Sequence, residues 1–143
     1  MPKSLLVFSL KGIPDTQRED LVTQLKMVAE SMEVGVNIID AAKPLSDPKL
    51  KKIAVAVHDL LAVRMVDSTL LDEHRINQDL HALRAEGLFE NNYCIVLTGD
   101  IYYISGNYEN GFVAHDNIAF IKNLSSHSVM GLINEVFARL EIG

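Results

Sequence analysis

The sequence predicts a single α/β domain over residues 1–143, with a mixed sheet of about five strands in two or three layers and helices covering it. Three observations predict this class. A strand–helix–strand pattern lies between Ser4 and Asp40, the middle of the chain repeats apolar residues at helical spacing, and the C-terminal part breaks into short β runs before a last amphipathic helix. The expected architecture is an N-terminal βαβ unit, a central helical hairpin, an antiparallel C-terminal meander and a C-terminal packing helix. This gives the α/β class some α+β character.

Ser4–Leu10 (SLLVFSL) is an apolar run ended by Gly12 and Pro14, and reads as a buried strand. Thr16 and Glu19 have capping-box spacing, so a helix is expected to start there. Leu21, Val22, Leu25, Val28, Ala29 and Met32 form its inward stripe, with Arg18, Glu19, Lys26 and Glu30 largely off it. After Gly35, Val36–Asp40 (VNIID) is the second strand. Such crossovers are almost always right-handed and join parallel strands.

Ile53–Val57 (IAVAV) has the composition of a strand, yet Asp47-Pro48 places an N-cap before a proline at the first helical position. Leu50, Ile53, Ala54, Val57, Leu61 and Arg64 then recur at helical spacing, so a helix is expected from Pro48 to about Val63. A second helix, with Asp67 and Ser68 as capping candidates, turns Leu70, Ile76, Leu80 and Leu83 inward and stops at Gly87.

Tyr93–Leu97 (YCIVL) is a strand, Thr98-Gly99-Asp100 a turn and Ile101–Ser105 (IYYIS) a returning strand. The loop Gly106–Gly111 follows, then Phe112–His115 leading through Asp116-Asn117 into Ile118–Ile121. Ser125 caps the last helix, with Leu124 and Val129 at staple spacing. Its stripe is Val129, Leu132, Ile133, Val136, Phe137 and Leu140.

With 143 residues and 48% hydrophobic content, the chain can build a core without staples. Thirteen Lys+Arg against nineteen Asp+Glu leave a net charge of −6, which disfavours nucleic acid or an anionic membrane as partner. A single cysteine, Cys94, excludes an intramolecular disulfide and a thiolate metal cage. No signal peptide or membrane-length apolar run is found, so a cytoplasmic location is expected.

Phosphate-loop, dinucleotide-binding, nucleophile-elbow, HExxH and CxxC signatures are absent, and neither a cofactor nor a metal is expected. The order of elements, ending in an edge hairpin and a helix, resembles zinc peptidases of the metzincin type. That resemblance implies HExxH on the final helix. Here the helix reads HSVMGLINEVFARL, with no second His four residues after His127, so the zinc ligands cannot be assembled.

One candidate site follows from topology. If the strand ending at Leu97 runs parallel to the first two, Lys11, Asp40 and Asp100 share the carboxyl edge of the sheet. A hairpin running down through Tyr102–Ile104 and back through Phe112–Ala114 would bring His115 and Asp116 to that edge. Asp40, Asp100, His115 and Asp116 could then hold a divalent cation or form an imidazole base with an orienting carboxylate. The competing expectation is that the three aspartates are turn residues satisfying nearby amides. His58, His74, His81 and His127 read as helix-surface residues, and Cys94 as a buried small hydrophobe. Tyr108, between two asparagines of its loop, is the aromatic expected at a partner contact.

Two functions are therefore carried forward. The first is a non-enzymatic interaction or regulatory module, acting on a protein partner or by self-association as a homodimer. Its support is the lack of catalytic spacing and the apolar surface that Ala56, Ala62 and Val63 add beyond one stripe. The alternative is a hydrolase using the Asp/His edge, with or without a metal.

Overall fold

The computed structural model describes residues 3–64, 73–99 and 111–140. Its elements in chain order are β1 (Lys3–Ser9), α1 (Asp15–Ser31), β2 (Val36–Asp40), α2 (Pro48–Arg64), α3 (Glu73–Ala85), β3 (Asn92–Leu97), β4 (Phe112–Ala114), β5 (Ile118–Ile121) and α4 (Ser126–Arg139). The sheet is mixed, five-stranded and ordered β2-β1-β3-β5-β4. β1 pairs in parallel with both β2 and β3, β3 pairs in parallel with β5, and among the described residues only the β4–β5 pair is antiparallel.

Strand alternation divides the core between the two faces. Leu6, Phe8, Cys94, Val96, Ile118 and Phe120 point to the side covered by α2 and α3. Leu5, Val7, Tyr93, Ile95, Leu97 and Ile121 point to the side covered by α1 and α4. Both faces of the central strands are apolar because both are covered, which makes the molecule three-layered.

The helical reading of the middle holds: Leu50, Ile53, Ala54, Val57 and Leu61 are buried. Asp47 Oδ1 accepts from the Lys49 amide at 2.9 Å, capping α2. The first helix departs from expectation at both ends. It begins at Asp15, its N-cap position is Pro14 and no side chain caps it, so the Thr16–Glu19 box is not used. Met32 falls just past the last turn and is 47% exposed rather than inward. Arg18, expected off the stripe, is buried.

At the C-terminal end Ser125 caps α4 as expected, its Oγ accepting from the Ser128 amide at 3.2 Å. All six residues of the predicted α4 stripe are buried. Gly87 takes φ +76, and the Leu88 amide reaches back to the Leu83 carbonyl, closing α3. The predicted strand Ile101–Ser105, together with Asp100 and Tyr108, lies outside the described residues, as do Asp67, Ser68 and Leu70.

Candidate functional site

The connection through α1 and the connection through α2 and α3 lie on opposite faces of the sheet, so strand order reverses between β1 and β3. Doubly wound sheets open a crevice at that point, outside the carboxyl ends of the strands. Here the turn Leu10–Pro14 forms one wall. It is anchored by the Leu10 amide donating to the Leu97 carbonyl at 3.0 Å. Gly12 takes φ +99 inside it, a conformation that a side chain would strain. On the β2 side of this turn lies a cleft of about 270 Å³ whose lining includes Ser9, Lys11, Arg18, Ala42 and His58 and no residue of β3.

Arg18 is the organising residue. One turn into α1, its guanidinium is directed at the sheet, with Nε donating to Asp40 Oδ1 at 2.7 Å. Its Nη1 donates to Asp15 Oδ1 at 2.8 Å and to Ser9 Oγ at 3.3 Å. Burial opposes the charge on Arg18, but the hydrogen bonds to Asp15 and Asp40 outweigh it and hold its pKa above the ordinary value. Asp40 Oδ1 also accepts from the Ala42 amide at 3.0 Å. The carboxylate that sequence reasoning placed at this edge is indeed there, and it is occupied by an arginine and a turn.

His58 sits on α2 at the other side of the cleft. Its ring stands edge-on to Phe8, with centroids 5.2 Å apart. It is exposed, in keeping with the helix-surface reading, but a position on a cleft wall was not expected. Nothing in its local sequence marks it, because the wall is made by tertiary packing.

The structure does not bring His115 and Asp116 to this edge. The parallel pairing of β5 with β3 makes the antiparallel β4 run downward, so its end points to the amino edge. Asp116 borders a small hollow of about 180 Å³ there, beside Lys3, Asn92 and Arg139, and pairs with Arg139 Nη1 at 3.6 Å. The strand registers place Asp40, Val7, Ile95, Ala119 and Ala114 in one row across the whole sheet. Four strand spacings of about 4.8 Å put roughly 19 Å between the backbones of Asp40 and Ala114, the neighbour of His115. His115 is 7% exposed, stands edge-on to Phe120 with centroids 6.1 Å apart, and its carbonyl accepts from the Tyr93 hydroxyl. The expected convergence of Asp40, His115 and Asp116 is therefore corrected, and Asp100 lies outside the described residues. Among the described residues no group of three His, Cys, Asp or Glu side chains could hold a metal ion.

Cys94 is fully buried on β3, and burial pushes its thiol pKa well above the ordinary range. That environment suits packing and opposes thiolate chemistry. His81 and His127 are exposed on their helices.

The outer surface carries the remaining signal. Met27 and Met32 at the α1 end and Met130 on α4 are 64%, 47% and 45% exposed, and Val55 on α2 is 61% exposed. Every methionine among the described residues is thus on the outside, and all belong to the α1–α4 layer. Ala56 packs against the core, and the side chains of Ala62 and Val63 lie outside those described. No described helix is long and apolar enough to cross a membrane.

Comparison of the chain with protein-family models, with curated proteins and with solved structures gave no match.

Proposed function

We propose that this chain is a non-enzymatic interaction module that works by presenting its α1–α4 surface to a protein partner in the cytoplasm. The observation that carries the reading is the outward placement of Met27, Met32 and Met130. Methionine is flexible and polarisable, and it adapts to irregular partner surfaces when exposed. The carboxyl edge supports the same reading from the other side. Asp40, the acid expected to do chemistry, spends Oδ1 on Arg18 and Ala42, and its expected imidazole partner His115 is a sheet-width away. A net charge of −6 favours a partner that is neither nucleic acid nor an anionic membrane.

The test is site-specific photo-crosslinking in cells, with the reactive amino acid at Met27 or Met130 and a control at the exposed turn residue Glu90. The reading expects a discrete crosslinked band from Met27 or Met130 and none from Glu90. Equal, diffuse labelling from all three positions overturns it.

A further inference from the structure

Among the described residues the sheet ends at β2, whose outer edge borders a groove between α1 and the segment leading to α2. A groove of about 470 Å³ runs there, with Glu19, Thr23 and Lys26 of α1 on one side, Lys43 and Leu45 on the other, and Ile38 at its base. The direction of each β2 backbone group follows from one bond. The Ala41 amide donates to the Val7 carbonyl, so alternate residues Ile39 and Asn37 also face β1. Val36, Ile38 and Asp40 then turn their amides and carbonyls away from the sheet. Two of these outward groups are used locally: the Val36 amide donates to the Val34 carbonyl, and the Asp40 carbonyl accepts from the Lys43 amide. What remains pointing outward is the Val36 carbonyl, both groups of Ile38 and the Asp40 amide.

That set is self-complementary about a twofold axis, and from it we infer that β2 pairs antiparallel with β2 of a second copy of this chain, joining two sheets into one. Ile38 exchanges both its bonds with Ile38 of the second copy. The Asp40 amide of each chain meets the Val36 carbonyl of the other. The two groups already consumed locally, the Val36 amide and the Asp40 carbonyl, are the ones that would otherwise face each other in this register, so neither is left unpaired. Charge complementarity agrees. The axis runs perpendicular to the sheet, so α1 meets its copy antiparallel on the same face. Glu19 and Lys26, both exposed and roughly 10 Å apart along the helix, then fall opposite each other with reversed sign. A closed pair also removes an edge that would otherwise template open-ended strand addition.

The inference rests on the interaction reading above and names one partner for it. Sedimentation equilibrium of the full chain over a wide concentration range is expected to give twice the chain mass of 15.9 kDa at high concentration. Lys26→Glu sets like charges opposite each other and should raise the dissociation constant by about tenfold or more. Adding Glu19→Lys to Lys26→Glu reverses the pattern on both chains and should restore association. Ile38→Pro removes an amide that points away from β1, so it spares that ladder and should abolish the dimer. A chain that stays monomeric at every concentration overturns the inference and leaves the interaction reading to a foreign partner. A dimer indifferent to both Lys26→Glu and Ile38→Pro also overturns it, since self-association would then use another face.

Discussion

Arg18 of α1 and Asp40 at the end of β2 form a hydrogen-bonded ion pair of 2.7 Å, with side chains only 6% and 8% exposed. The pair ties the first turn of the crossover helix to the strand that the helix delivers. It also fixes the electrostatics of the carboxyl edge, because the acid most suited to chemistry there is already matched by a permanent cation.

Removing one partner should hurt more than removing both. Asp40→Ala leaves the buried guanidinium with Asp15, which is 80% exposed, and should cost about 3 kcal/mol in urea denaturation. The double change Arg18→Met with Asp40→Leu should cost clearly less than the sum of the two single changes. Additive costs would show that the pair is not coupled.

Stability should fall on the alkaline side. Burial raises the pKa of Cys94 and of Tyr93 from ordinary values of 9.0 and 10.0, so both stay protonated in the fold. The unfolded chain loses these protons near the ordinary values and the folded chain does not. The stabilisation is therefore complete below about pH 9 and declines as pH rises from there towards the folded values. Denaturation midpoints measured from pH 8 to 10.5 check the decline. Cys94→Ala should flatten its first part even though the variant is less stable throughout. A pH-independent midpoint would contradict the burial of both groups.

Two glycines should separate sharply. Gly111 has φ +81, and a Cβ there would press into Ser128, so Gly111→Ala is expected to cost roughly 2 kcal/mol. At Gly35 a Cβ meets nothing within 4 Å, and Gly35→Ala should lie within about 0.5 kcal/mol of the parent. Thermal melts of the two variants decide it.

The helix starts offer a similar contrast. Ser125→Ala removes a side chain that accepts the Ser128 amide and should cost about 1 kcal/mol. Thr16→Ala should be nearly silent, because α1 starts at Asp15 with no side-chain cap. Equal losses would mean that α1 uses its capping box after all.

Local elements are legible in this sequence, and non-local pairings are not. β1 and β3 carry continuous apolar runs and β2 a short β-branched segment, all bounded by turn residues, and their parallel arrangement follows from the crossovers between them. The α4 stripe and its Ser125 cap were readable because both are local. The candidate cluster failed where pairing is non-local. A three-residue strand such as Phe112–Ala114 has no pattern that says which neighbour it takes, and the insertion of β5 beside β3 sent His115 to the other end. The charge of Arg18 points to solvent when read locally, whereas Asp40, distant in sequence, neutralises it inside. Met32 fits the helical period but lies beyond the last turn, and periodicity does not say where a helix stops.

Hydrogen exchange at the Ile38 amide, followed across a dilution series, tests most directly the claim that β2 of one copy of this chain pairs with β2 of another. The account predicts strong protection at high concentration, lost on dilution in step with the fall in molar mass. An Ile38 amide that exchanges at the rate of an open strand at every concentration would contradict it.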